Sequence, residues 1–171
     1  MIVSYAAIPK AAVAMLLFSL LAPIHAHAGQ IGTTAPGLAL PDLNGNTITL
    51  ETYKGKVIFL DFWAPWCKPC QEEMPALDTL YKTYGKDGFV VIGVCMDTPE
   101  AGVEKFLRSS PVSFPVLVDK KGTSARTYLF SNLPIGYLID RTGVIRYQHA
   151  GYGIDSLHTY EKEIELLLKQ Q

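Results

Sequence analysis

Two cysteines set two residues apart, Cys67-Lys68-Pro69-Cys70, carry the most chemistry in this sequence. A thiolate can attack a foreign disulfide, form a mixed disulfide and be released by a second thiol, so a pair this close can open one bridge and close its own. A bridge spanning two intervening residues closes too short a loop to remove much unfolded-state entropy. Its use is therefore reactivity rather than stapling. Zinc binding is the competing use, but a zinc site needs four ligands, and only Cys95, His149 and His158 could complete one, with no second spaced pair. The pair reads as a redox dithiol that needs no metal and no cofactor.

The residues around the pair supply the rest of the chemistry. Val57-Ile58-Phe59-Leu60-Asp61-Phe62 is a nearly unbroken apolar run, the mark of a strand covered on both faces. Trp63-Ala64-Pro65-Trp66 follows as a loop, and from Cys67 onward Met74, Leu77, Leu80, Tyr81 and Tyr84 recur at helical spacing. Cys67 thus starts a helix, where unsatisfied backbone N–H groups and the helix dipole favour a thiolate and lower its pKa below the free value of roughly 8.5. Lys68 adds a positive charge, and Pro69 stiffens the turn without needing to donate a hydrogen bond. An exposed Cys67 is expected to attack, and a less exposed Cys70 to resolve the mixed disulfide.

Cys70 must lose its proton to do so. Asp61 is the candidate acceptor, because an ionisable side chain within an apolar strand is costly unless it is used, and burial should raise its pKa. Trp66, directly before the nucleophile, is expected to shape the substrate surface. Trp63 and Cys95 are expected in the core, and His149 and His158 on the surface.

These residues must be positioned by a fold. Leu38 to Leu50 contains Asn44-Gly45, a strong hairpin turn between two short strands. Phe89 to Val94 reads as a second buried strand, joined to the first by the helix in a parallel βαβ unit. Pro99 to Arg108 looks helical, Val116 to Val118 is a short strand, and Gly122 to Phe130 is a weaker helix. Ile135 to Asp140 and Val144 to Gln148 flank Arg141-Thr142-Gly143 as an antiparallel hairpin, and Leu157, Tyr160, Ile164, Leu167 and Leu168 mark a final amphipathic helix. Gly85 is placed to stop the helix that begins at Cys67. The order predicts an α/β sandwich with a mixed central sheet.

The chain has 171 residues, 49% hydrophobic and 18% charged, with a formal net charge of −1. That suits one domain, and the lack of a basic stripe excludes nucleic acid as a partner. Lys10 and the apolar run from Ala11 to Ala22, ended by Pro23 and followed by Ala26-His27-Ala28, read as a signal peptide. The run is well short of the roughly 20 residues a spanning helix needs. Residues 1–28 are accordingly expected to be removed, leaving 29–171 as a soluble exported or periplasmic domain, with an uncleaved membrane anchor as the alternative.

Phe59 through Cys70 resembles the active-site strand, loop and helix of thioredoxins. The preceding hairpin and the insertion between residues 96 and 130 resemble the exported TlpA/ResA-like branch. The resemblance implies a thioredoxin-like three-layer sandwich. It matches Asp61 to the buried acid of thioredoxins and Leu133-Pro134 to the bond before a cis-proline that lies against the cysteines, where neighbouring backbone receives substrate as an added strand. Trp66, Lys68, Pro69, Leu133 and Pro134 are then substrate-facing.

Two departures stand out. Ile135-Gly136 follows Pro134 where the family commonly has Thr, and the extra acidic residue of ResA-like members has no clear match, Asp97 and Glu100 being merely in the right region. The implied activity is reduction of disulfides in Cys-containing exported proteins, such as apocytochrome c, by a monomer recharged from a membrane electron donor. A peroxiredoxin-type peroxidase is the first alternative, although it needs Thr or Ser where Ala64 stands. A thiol-binding chaperone without turnover is the second.

Overall fold

The computed structural model describes residues 29–97 and 100–170, so the expected leader lies outside the described residues. A hairpin of β1 (Ala39–Pro41) and β2 (Thr47–Thr49) forms a small antiparallel sheet of its own. Its turn is organised by Asp42, whose Oδ1 accepts from the backbone N–H groups of Asn44 and Asn46, each at 2.8 Å, while Gly45 takes the left-handed φ of 85°.

The main sheet has five strands in the order β5-β4-β3-β6-β7: Val116–Val118, Phe89–Cys95, Val57–Trp63, Ile135–Ile139 and Ile145–Ala150. The pairs β3–β4 and β4–β5 are parallel, and β6 and β7 complete the sheet in antiparallel fashion. Every residue of β3 and of β4 is buried. Their sequences do not alternate because neither face of the sheet meets water.

The two faces sort the residues of β3 by parity. Val57, Phe59 and Trp63 join α1 (Lys68–Tyr84), through Cys70, Met74, Leu77 and Leu80, and α4 (Ser156–Leu168), through Tyr160, Ile164 and Leu167. Ile58, Leu60 and Phe62 join Leu38, Tyr128 and the half-buried Leu40 and Ile48 of the hairpin. Helices, sheet, and hairpin with its flanking segments form three layers, the thioredoxin-like sandwich.

Asp61 shares its row of the sheet with two glycines, Gly93 on β4 and Gly136 on β6. Neither has room for a side chain. A Cβ at 136 would lie 2.5 Å from the Phe59 ring, and one at 93 would lie 3.0 Å from Phe114 and 3.3 Å from Trp63 Nε1. Aromatic rings therefore fill the space on either side of the aspartate.

Gly85 caps α1 as expected, in right-handed conformation; a 3-10 turn then runs through Asp87, and Gly88 takes the positive φ of 94° just before β4. One local expectation is corrected. The helix expected from Gly122 to Phe130 is only Thr123–Thr127 (α3), preceded by α2 (Glu100–Ser109) in the insertion. β-Branched Thr123 and Thr127 occupy both ends of α3 and favour it little. The chain leaves α3 through Leu129 at φ 58°, with the Phe130 N–H donating to the Ala125 carbonyl at 3.0 Å. That is a Schellman ending in which leucine occupies the place glycine usually takes.

Candidate active site

The end of β3, the loop after it and the first turn of α1 hold the cysteines. The Cys67 N–H donates to the Ala64 carbonyl at 3.1 Å, Gln71 Nε2 donates to the Pro65 carbonyl at 2.7 Å, and the Met96 N–H ties the Trp63 carbonyl to the next strand's exit at 2.9 Å. Cys67 is the N-cap of α1 in extended conformation, and its Sγ accepts the backbone N–H of Cys70 at 3.3 Å. Sulfur thus occupies the place a serine or aspartate oxygen would take, in contact with a donor that stabilises negative charge. Pro69 lies in the first turn, where its missing N–H leaves no bond unmade. The two cysteines are joined as a disulfide with Sγ–Sγ 2.03 Å.

Access is unequal in the expected order, but Cys67 is far less open than expected. Cys67 is buried, with 5% of its surface exposed, and Cys70 has none. Trp66 by contrast is 68% exposed and stands as a ridge between two grooves. One, of about 620 Å³, is lined by Pro65, Lys68, Lys105 and Phe106; the other, of about 500 Å³, by Met96, Ala125, Phe130 and Leu133. The Leu133–Pro134 peptide bond is cis, and Pro134 is buried. Trp66, Lys68 and Leu133 are thus all on these grooves. Lys68 reaches Glu72 at 3.4 Å in an exposed ion pair, so its charge is shared rather than devoted to the sulfur. Position 64, three residues before Cys67, is a buried alanine without a hydroxyl.

The interior holds one carboxyl group that sequence reasoning singled out and another that it missed. Asp61 has no exposed surface, and neither oxygen has a hydrogen-bond partner among the described residues. Burial, and then the charge of Glu73, push its pKa well above the usual carboxylate range. Glu73, 1% exposed, comes from the buried side of α1 and accepts the Tyr160 hydroxyl at 2.8 Å on Oε1, while Oε2 has no partner among the described residues. Burial raises Glu73 to about 7 despite that hydrogen bond, which pulls the other way. Two buried carboxyls that feel each other resist ionising together and titrate as a pair.

Glu73 is a second buried acid that the sequence reading, which named Asp97 and Glu100, did not single out. The signal was its spacing: it lies three residues after Cys70 and next to Met74, on the stripe that also carries Leu77. His149 is also corrected. It is half-buried, pairs through Nε2 with Glu163 at 2.7 Å, and lies 4.7 Å from the Tyr160 ring, whereas His158 is exposed as expected. Trp63 and Cys95 are fully buried, and burial pushes the Cys95 thiol up to about 11, so it stays protonated and unreactive.

Comparison with known proteins agrees with this geometry. The AhpC/TSA family model matches residues 31–148. The thiol-disulfide oxidoreductase ResA of Geobacillus kaustophilus is 39% identical over 119 residues, which covers 70% of this chain and 68% of that protein. ResA of Bacillus anthracis is 38% identical over 136 residues, 79% of each chain. Among solved structures, a Chlorobium tepidum protein assigned as the thiol:disulfide interchange protein DsbE superposes with a TM-score of 0.78 at 35% identity, covering 81% of this chain and 98% of that one.

Proposed function

We propose, from the premise that this chain belongs to the AhpC/TSA family and is a thiol-disulfide oxidoreductase, that it reduces disulfides of exported proteins. In this reading the Cys67 thiolate attacks a substrate disulfide. A mixed disulfide forms, and the expelled substrate sulfur takes up a proton. Cys70 gives its proton to Asp61 and attacks Cys67 Sγ, which breaks the mixed bond, closes the Cys67–Cys70 disulfide and releases the second substrate sulfur as a thiolate. Two electrons pass from the dithiol to the substrate, and both substrate sulfurs take their protons from water.

One observation carries the reading: a sulfur that caps a helix and accepts the Cys70 N–H, with a partner sulfur behind it that solvent cannot reach. The Trp66 ridge and the Leu133-Pro134 edge would hold the substrate backbone beside it. An exported substrate such as apocytochrome c, and a membrane donor that reopens the disulfide, complete the cycle, because an oxidising compartment would otherwise leave the pair closed. A peroxidase finds no hydroxyl at position 64, and a chaperone without turnover has no use for a buried carboxyl pair.

The direction is tested by equilibrating the purified domain with glutathione buffers and trapping free thiols. A reduction potential near −250 mV or lower, of the kind roughly typical of thioredoxins, is expected; a value near −120 mV, the level of a strong oxidant, overturns the reducing assignment.

A further inference from the structure

We propose that Tyr160 is a positioning residue of the redox centre: by donating its phenolic hydrogen to Glu73 it decides which of two buried carboxyls carries their shared proton, and in the oxidised form it leaves that proton on Asp61. The proposal rests on the reading that Asp61 exchanges a proton with Cys70, and it explains how Asp61 is kept loaded for the return half of the cycle.

The geometry is asymmetric. Glu73 Oε1 receives one donor at 2.8 Å, and Asp61 receives none among the described residues. Desolvation weighs on both carboxyls, and mutual repulsion keeps them from ionising together. Charge settles where a hydrogen bond awaits it, because a bond to an ionised acceptor is about twice as strong as a neutral one. Above about pH 7 Glu73 is therefore the ionised member and Asp61 the protonated one. When a donor thiolate attacks Cys67 Sγ and the Cys67–Cys70 bond breaks, its electron pair passes to Cys70 Sγ, and Asp61 supplies the proton.

The other titratable groups nearby do not compete for this position. His149, on β7, packs against the Tyr160 ring at a tilt of 57° but commits its Nε2 to Glu163. Tyr152, just before α4, is held protonated by burial and by the charges of Glu73 and Glu72. Glu72, on α1, is exposed and paired with Lys68, while Cys67 and Cys70 are joined to each other. The Tyr160 ring is fixed by packing against Phe59 at 4.9 Å and His149 at 4.7 Å, so its hydroxyl is aimed rather than free.

Tyr160→Phe keeps the ring and removes the donor. Infrared titration of the buried carboxyls in the oxidised protein should show the pair moving up by about one pKa unit, and the pH profile for reduction of the Cys67–Cys70 disulfide by a small thiol should move with it. In a Glu73→Gln background the same substitution should shift neither. An unmoved titration, or a shift that persists without Glu73, overturns the proposal. Should Tyr160→Phe fail to fold, a fluorinated tyrosine at 160, a stronger donor of nearly the same shape, should move the titration downward, and no movement is equally fatal. Asp61→Asn separates the two readings: if it leaves the exchange rate and its pH profile unchanged, the Asp61 relay fails, whereas the carboxyl titration reports on Tyr160 by itself.

Discussion

Glu73 keeps its proton up to about pH 7 because ionisation inside the cluster shared by α1, β3 and α4 must be met with a single donor. In the unfolded chain the same group ionises at its ordinary value of 4.5. Folding therefore favours the protonated form, and stability is fully present below about pH 4.5 and is lost as the pH rises through about 7. At about 1.4 kcal/mol per unit the loss is on the order of 3 kcal/mol, a large share of a small domain's stability. Glu73→Gln keeps an acceptor for Tyr160 and removes the titration. Its Tm should therefore exceed that of the parent at pH 8 and match or trail it at pH 4.5, as differential scanning calorimetry can check.

At this scale Cys67, Cys70 and Asp61 were legible in the sequence because each breaks its local pattern: a charge in an apolar strand, a thiol pair where a strand gives way to a helix. Glu73 was not. It adjoins Glu72 in an otherwise polar stretch, and only helical spacing separates the residue that turns inward from the one that pairs with Lys68 at the surface.

Strands and turns were readable because their determinants lie within a few residues of one another. The hairpin turn at Asp42 to Asn46 and the β6–β7 turn each hang on one aspartate. Asp140 Oδ1 accepts from the Thr142 and Val144 N–H groups at 2.9 and 3.0 Å, and its Oδ2 pairs with Arg146. Helix ends were less legible. The stop at Gly85 was readable, but the helix expected from Gly122 to Phe130 shrinks to Thr123–Thr127.

The row that holds Asp61 shows the same dependence on distant residues, since neither Gly93 nor Gly136 announces that an aromatic ring lies over it. Gly136→Ala would push a methyl group to 2.5 Å from Phe59. The clash should cost about 1–3 kcal/mol, seen as a Tm lower by several degrees. Because Phe59 also packs on Tyr160, the carboxyl pair should be disturbed with it.

Across the whole molecule the sheet is a rigid frame, and the remaining segments are tied to it by few bonds. The N-terminal segment meets the frame through the bridges Thr34↔Val144 and Asp42↔Leu117. The insertion is tied to α1 by Asp78, which accepts the Ser113 N–H at 2.6 Å and pairs with Lys82. Asp78→Ala should therefore free the segment ahead of β5 at a cost of about 1–3 kcal/mol. Hydrogen exchange should show the Ser113 amide losing protection while amides of β3 and β4 keep theirs. None of these long-range ties could be read from sequence, because partners 35 residues apart share no local pattern. The order of strands and helices did predict an α/β sandwich with a mixed central sheet, and the family resemblance implied its three layers.

Leu129 adds a last consequence. Its backbone sits at φ 58°, where a leucine costs about 1–2 kcal/mol and glycine would sit freely, and 56% of its surface faces water, so little burial offsets that cost. Selection for folding alone would have placed a different residue there. The chain instead holds a hydrocarbon outward, next in sequence to Phe130, a lining residue of the groove beside Trp66.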